Sequence, residues 1–184
     1  MANQAIVRHA RKEDCPLILQ LIQELADYEK ESAANQATVP TLEATIAFAP
    51  SDATGPKTSI TPNTEPTSST KPARCLLLFT PEGEPAGMAL YFYNYSTWRA
   101  KPGIYLEDLF VRETMRGRGY GKRLLVELAK ETVGMDGGRL DWVVLKWNEP
   151  SIKFYESIGA KAMSEWVGMR VDNEGLQKLA KLLD

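Results

Sequence analysis

Apolar residues at the start of the chain follow a strand pattern first and a helical pattern second. The segment AIVRHA is a strand candidate, and the Asp14 and Pro16 that come after it are typical of the start of a helix. The next apolar side chains recur at helical spacing on one face, which predicts a helix ending near Tyr28: Ile18, Leu21, Ile22, Leu25. TLEATIAFA, residues 41–49, predicts a second, shorter helix.

The middle and end of the chain alternate between strand and helix patterns. RCLLLFT, the turn PEGEP, AGMALYFYNY and GIYLEDLFV predict three successive antiparallel strands. A helix from Tyr120 to Val133, a strand RLDWVVL, a helix PSIKFYESIG, a strand near AKAMSEWVGMRV and a terminal helix NEGLQKLAKLL follow. This order predicts an α/β (α+β) fold with a mixed, mostly antiparallel central sheet flanked by helices.

Residues 50–72 break these patterns. They are rich in Ser, Thr, Pro, Asn and Gly and nearly devoid of apolar side chains, so they are interpreted as an insertion. The whole chain has 184 residues and 43% hydrophobic content, which suits one ordinary domain. We therefore expect a single domain over residues 1–184 with an insertion at about 50–72.

Composition and charge narrow the possible partners. A net charge of −2 provides no overall basic field for a nucleic-acid backbone, and no apolar stretch suits a signal peptide or a membrane span. Cys15 and Cys75 lie far apart, and His9 is the single histidine, so neither a disulfide framework nor a metal site is expected. These features predict a cytoplasmic protein that binds no nucleic acid, membrane or metal.

The segment MRGRGYGKRLL combines glycines and cations directly before an amphipathic helix. It matches neither the phosphate loop of nucleotide hydrolases, which needs Ser or Thr after Gly-Lys, nor the dinucleotide fingerprint with its third glycine. Arginine-glycine RNA tracts are long and repeated, unlike this one. Backbone N–H groups at such a strand-loop-helix junction, with Arg116, Arg118 and Lys122 nearby, suit a pyrophosphate. The alternative is a plain helix start with solvated cations.

Two motifs identify a family resemblance. RGRGYG, residues 116–121, matches the R/Q-x-x-G-x-G/A signature of the GNAT superfamily of acetyl-coenzyme A-dependent N-acetyltransferases, and WNEPSIKFYESIGA resembles its second hallmark. YLEDLFV and LIQELADYEKE are most similar to the group of spermidine/spermine and thialysine acetyltransferases. The resemblance implies the GNAT fold, acetyl-coenzyme A as cosubstrate, and a homodimer.

The resemblance also implies which residues bind the cofactor. The strand after Glu-Asp would offer backbone N–H groups to the pantetheine arm, the glycine loop would hold the pyrophosphate, and the NEPS segment would add contacts. NEPS is equally typical of a capped helix start. The implied set is Leu109, Phe110, Val111, Arg116, Gly117, Arg118, Gly119, Tyr120, Gly121, Lys122, Asn148 and Ser151.

For catalysis, the resemblance implies an acid on the central strand that deprotonates the amine and a tyrosine that protonates the departing thiolate. Glu107, acting through water, is the expected base, with Asp108 as a charge that binds the amine; adjacent strand residues face opposite sides. Tyr155 is the expected acid. The alternatives without a catalytic role are that Glu107 and Asp108 are solvated acids in an edge turn, and that Tyr155 is a half-buried aromatic side chain of a helix.

The acceptor is expected to be a primary amine of a small polyamine, diamine or lysine-like molecule. Tyr28, Glu29, Trp98 and Trp166 match positions near the amine pocket of the polyamine group, and carboxylates and aromatic faces attract ammonium groups. Three carboxylates would favour polyamines over amino acids. Two alternatives stay open: a protein lysine or N-terminus as acceptor, and a module that binds coenzyme A without turnover.

Overall fold

The computed structural model describes residues 4–52 and 61–183 of the chain. Residues 53–60 of the expected insertion lie outside this part. The chain divides into two compact units, residues 1–143 and 144–184, which are described separately below. The expectation of a single domain stays a prediction.

The first unit is built on a five-stranded sheet in the order β1-β2-β3-β4-β5. Its strands are β1 (Ile6–His9), β2 (Ala73–Phe79), β3 (Pro85–Ser96), β4 (Lys101–Val111) and β5 (Leu140–Asp141). The first four pair antiparallel, and β5 is parallel to β4. The predicted mixed sheet, its meander and its hairpin are confirmed.

Helices cover both faces of this sheet: α1 (Cys15–Tyr28), α2 (Val39–Thr45) and α3 (Tyr120–Gly134). The apolar face of α1 is buried in one core cluster with Cys75, Leu77 and Met88 of the sheet. Because strand side chains alternate, Leu76 and Leu78 point to the other face, where both are fully buried. Tyr91 of β3 reaches Glu131 of α3, so α3 lies on the side opposite α1.

A buried polar cluster joins α3 to the sheet. The carboxylate of Glu131 accepts hydrogen bonds from the Tyr91 hydroxyl at 2.9 and 3.0 Å and from the Tyr93 hydroxyl at 2.8 Å. His9 Nε2 lies 3.1 Å from the Tyr91 hydroxyl. Burial raises the pKa of both tyrosines, and the adjacent Glu131 charge raises it further. The cluster therefore keeps its tyrosines as hydrogen-bond donors.

Two elements of the first unit are shorter than the sequence predicts. The second helix ends at Thr45 instead of Ala49, because the following backbone bonds to the sheet: Ala47 N donates to Ala73 O and Ala49 N to Ala10 O. The predicted strand RLDWVVL contributes only β5, two residues long.

The second unit contains α4 (Glu149–Ser157) and α5 (Asn173–Ala180), which confirms both predicted helices. The prediction of a strand near AKAMSEWVGMRV is wrong, since the described residues of this segment form turns and irregular backbone. Its alternation is interrupted by Glu165 and Gly168, and a strand pattern without a partner forms no ladder. All residues from 161 to 183 are exposed, including Trp166 and Met169.

Candidate active site

A β-bulge interrupts β4 at the Glu107-Asp108 pair. Leu90 of β3 lies opposite Asp108, but the next residue, Tyr91, lies opposite Leu106, so Glu107 is the extra residue on β4. Bulges bend the strand and redirect its side chains, and they are frequent next to active sites. Glu107 is exposed, whereas Asp108 is half-buried. The two adjacent acids therefore lie in different environments.

The outer edge of β4 is open beyond the bulge. Among the described residues, β5 pairs with β4 at Ile104 and Tyr105 alone, so the predicted pantetheine-binding residues Leu109 to Val111 have a strand partner there only on the β3 side. Alternate backbone N–H groups along this edge are consequently available to a ligand. Phe110 points its side chain into the core with α1, while Leu109 and Val111 are half-buried.

The glycine loop leads from this strand into α3. Gly117 and Gly119 have φ angles of +75° and +81°, a backbone conformation that glycine adopts without a steric penalty. Gly119 caps α3, and no side chain hydrogen-bonds to the cap. The first N–H groups of a helix have no partner within the helix, so this loop presents backbone donors and the positive end of the helix dipole. Gly121 is half-buried in the first turn, whereas Tyr120 is buried and anchors it.

The cations of the loop have different surroundings. Lys122 and Arg118 are exposed, and Arg118 Nη2 lies 3.5 Å from Thr114 O of its own loop. Arg116 is held more firmly, because its Nε donates to Val111 O at 3.0 Å and its guanidinium carbon lies 4.5 Å from the ring centroid of Tyr28. The structure thus brings a predicted cofactor residue into contact with a predicted acceptor residue.

An ion pair that the sequence analysis missed connects α1 to the end of β4. Arg112 donates to both carboxylate oxygens of Glu24 at 2.9 Å, and its Nη1 donates to Pro85 O at 3.0 Å. Glu24 precedes Tyr28 by one helical turn, so this bidentate pair fixes the end of α1 that carries Tyr28 and Glu29 beside β4. The position of Glu24 on the same helix face as Tyr28 was the available signal.

Two of the predicted carboxylates act on the third, Asp108. Burial raises the pKa of Asp108 to about 6, and the negative charges of Glu107 and Glu29 add to this effect. The pKa of Glu29 is also raised, first by burial and then by Glu31. Among the described residues, no cation lowers the pKa of Asp108. A cationic ligand would therefore be stabilised beside this negative charge.

The remaining predicted residues lie apart from this cluster or in the second unit. Trp98 is 89% exposed in the turn between β3 and β4, and Trp166 is exposed in the second unit. Asn148 is buried and caps α4, accepting from the backbone N–H of Ser151 at 3.4 Å, as the alternative interpretation of NEPS expected. Tyr155 is half-buried on α4, its ring 5.3 Å from that of Phe154.

No metal site or membrane span emerges from the described residues. Nowhere in residues 4–52 and 61–183 do three or more His, Cys, Asp or Glu side chains gather in a way that could hold a metal ion. Within the same part of the chain, none of the helices has both the length and the apolar character required to cross a membrane.

A bulge with two acids, a strand edge beyond the pairing with β5 and a glycine cap of α3 follow one another along this part of the chain. The model of the acetyltransferase (GNAT) family matches residues 43–160. The chain belongs to this family, which uses acetyl-coenzyme A as cosubstrate, and it is an acetyltransferase.

Two relatives agree with this assignment, and a solved structure shares the fold. A thialysine N-epsilon-acetyltransferase of Bos taurus is 31% identical over 95% of this chain and 96% of its own length. An L-ornithine N5-acetyltransferase of Arabidopsis thaliana is 44% identical over 53% of this chain, and the match spans 42% of that protein. The structure of an integron cassette protein from the mobile metagenome of V. cholerae superimposes with a TM-score of 0.71 at 24% identity, covering 97% of this chain and 98% of that one.

Proposed function

We propose that this protein transfers acetyl from acetyl-coenzyme A to a primary amine of a small molecule that carries a second ammonium group. The observation that carries the proposal is the carboxylate cluster of Glu29, Glu107 and Asp108 at the bulge of β4, directly before the glycine loop. The names of the two relatives support it, because ornithine and thialysine each carry two amino groups. Polyamines and diamines share this chemistry.

The first unit offers separate contacts for each part of the cosubstrate. The backbone N–H groups at Gly117 to Lys122 would bind the pyrophosphate, with Arg116, Arg118 and Lys122 contributing charge. The open edge of β4 at Leu109 to Val111 would hydrogen-bond the pantetheine arm. A donor of this edge would also polarise the thioester carbonyl, whose oxygen gains negative charge in the transition state.

The amine must lose a proton before it can attack. An alkylammonium has a pKa of about 10.4, so a base or a water path must take this proton near neutral pH. Exposed Glu107 on the bulge can face the ligand and serve as this base, while enclosed Asp108 and Glu29 attract the ammonium groups. Attack of the neutral amine on the carbonyl forms the carbon-nitrogen bond, and the carbon-sulfur bond breaks to leave a thiolate. The nitrogen releases one further proton to solvent as the amide forms, which balances the proton that the thiolate takes up.

Tyr155 would return a proton to this thiolate. A phenol pKa of about 10 exceeds a thiol pKa of about 8.5, so the transfer is slightly uphill and depends on placement. We expect Tyr155→Phe to lower kcat by about 100-fold while the Kd of coenzyme A, measured by titration calorimetry, stays near the parent value. Tyr95→Phe, which removes a hydroxyl from an exposed ring of β3, is the matched control. Parent-level turnover in Tyr155→Phe would assign the thiolate proton to water or another group.

Glu29 tests the acceptor side of the proposal. Glu29→Lys replaces an attractive charge by a repulsive one, so the KM for a diamine should rise about tenfold or more, while the KM for acetyl-coenzyme A changes little. The effect should shrink with added salt, because Glu29 is only partly buried. Glu43→Lys on α2 changes the net charge equally and serves as control. An unchanged diamine KM in Glu29→Lys would contradict the ammonium-binding role.

We also propose a cytoplasmic homodimer, as the resemblance implies. Support for the compartment comes from Cys15 and Cys75, which are both free thiols. Support for the assembly comes from the exposed apolar side chains of the second unit, which a partner chain could cover. They are Met163, Val167, Met169, Val171, Leu176, Leu179 and Leu183.

A further inference from the structure

Tyr28 was expected to contact the acceptor, yet its ring lies against a cation of the cofactor loop, Arg116. The guanidinium carbon of Arg116 lies 4.5 Å above the centroid of the Tyr28 ring and 6.0 Å from that of Phe110. Both distances fall within the range of attraction between a cation and an aromatic face. Arg116 therefore lies against a wall that α1 and β4 build together.

The orientation of Arg116 leaves its outer nitrogens available. Its Nε donates to Val111 O at 3.0 Å, which fixes one edge of the planar group. No hydrogen bond or ion pair of Nη1 or Nη2 is found among the described residues, and the residue is exposed. A guanidinium fixed at one edge and supported on one face can meet two oxygens of an anion with its remaining donors.

The support itself is rigid. Tyr28 is partly buried against the core cluster, and the Arg112-Glu24 pair fixes α1 one turn earlier. A long arginine side chain on an exposed loop otherwise samples many rotamers, and ordering it on binding costs free energy. A prepositioned ring reduces this cost before the ligand arrives.

We infer that Tyr28 is a positioning residue for the cosubstrate, which holds Arg116 in the orientation that binds the phosphate groups of acetyl-coenzyme A. The inference rests on the proposed function, since it requires the glycine loop to bind the pyrophosphate. Tyr28 would raise the affinity for the cosubstrate through Arg116, whereas its neighbour Glu29 would bind the acceptor.

A double-mutant cycle in the full chain tests the inference by titration calorimetry with coenzyme A. Tyr28→Leu should raise Kd by about threefold to thirtyfold, the range expected for losing a cation contact with a ring. Tyr28→Phe retains the ring and should bind like the parent. In the Arg116→Leu background, Tyr28→Leu should change Kd no further, because the residue through which Tyr28 acts is gone.

A phosphate-free donor provides a second readout that loss of packing would not reproduce. With S-acetylpantetheine, the KM for the donor should be the same in Tyr28→Leu and in the parent, since no phosphate is present for Arg116 to bind. Equal weakening by Tyr28→Leu in both Arg116 backgrounds, or an unchanged Kd in the single variant, would overturn the inference and leave the proposed function intact. If Arg116→Leu and Gly119→Val both left the Kd of coenzyme A unchanged, the loop assignment in the proposed function would fall.

Discussion

Replacing Gly119 by valine is expected to weaken coenzyme A binding by about a hundredfold or more. Gly119 has a φ angle of +81° at the cap of α3, where an L side chain is strained by about 1–2 kcal/mol. A branched side chain there would also keep the pyrophosphate away from the backbone N–H groups, and each lost charge-assisted hydrogen bond costs about 1.5–3 kcal/mol. Titration calorimetry with coenzyme A measures the change in Kd.

Gly83→Val separates backbone strain from loss of the binding site. Gly83 lies in the turn between β2 and β3 with a φ angle of +90°, and an added Cβ would meet no atom within 4 Å. Both variants should lose thermal stability to a similar extent, whereas only Gly119→Val should lose affinity. Parent-like affinity in a folded Gly119→Val protein would remove the phosphate-loop assignment.

Much of the fold could be predicted because local patterns and tertiary packing agree. The apolar positions of α1 recur every three or four residues and form one buried face, and the glycines before Tyr120 mark both the loop and the helix start. Motif spacing added what periodicity lacks. Arg116 to Gly121 identified the family from six residues, and the match to the family then confirmed it.

The bulge could not be predicted from the letters YLEDLFV. Simple alternation places Glu107 and Asp108 on opposite faces, but their actual environments depend on the register of β3, where Leu90 and Tyr91 pair on either side of the extra residue. The parallel pairing of β4 with β5 ends at Tyr105, two residues before the extra residue Glu107. A long-range register of this kind is a property of two strands and is invisible in either one.

Contacts between residues that lie far apart in the sequence could not be predicted from it either. Glu24 and Arg112 are separated by 88 positions, and the position of Glu24 on the helix face of Tyr28 does not indicate which residue it would pair with. Tyr28 and Arg116 were each assigned to a ligand by motif position, yet their mutual contact suggests a shared task. Motif comparison indicates which residues lie near a site, whereas the role of each residue depends on its contacts in the structure.

Glu107→Gln is expected to lower kcat by about 100-fold to 1,000-fold, while the KM for the amine changes little. The amide keeps the shape of the side chain but cannot accept the ammonium proton, and general base catalysis contributes about 10²–10⁴ in rate. Steady-state kinetics with a diamine acceptor measures both constants. A kcat near the parent value would show that a water chain alone deprotonates the amine.

Asp108→Asn is the matched comparison, because the two acids are neighbours with different expected roles. The pKa of Asp108 is about 6, so its carboxylate is protonated below that pH and loses its attraction for an ammonium group. The parent kcat/KM for a diamine should therefore show an inflection near pH 6 that Asp108→Asn lacks, with the variant's amine KM raised at about pH 7 to 8 and close to the parent value at about pH 5. The folded-state pKa lies above the ordinary value of 3.8, so Asp108 favours the folded state most below about pH 4 and loses this contribution as the pH rises through about 6. Asp108→Asn should accordingly be at least as resistant to thermal unfolding as the parent at pH 8, which excludes unfolding as the cause of its weaker amine binding. If Asp108→Asn lowered kcat strongly and left the amine KM unchanged while Glu107→Gln kept the parent kcat, Asp108 and not Glu107 would be the group that accepts the proton.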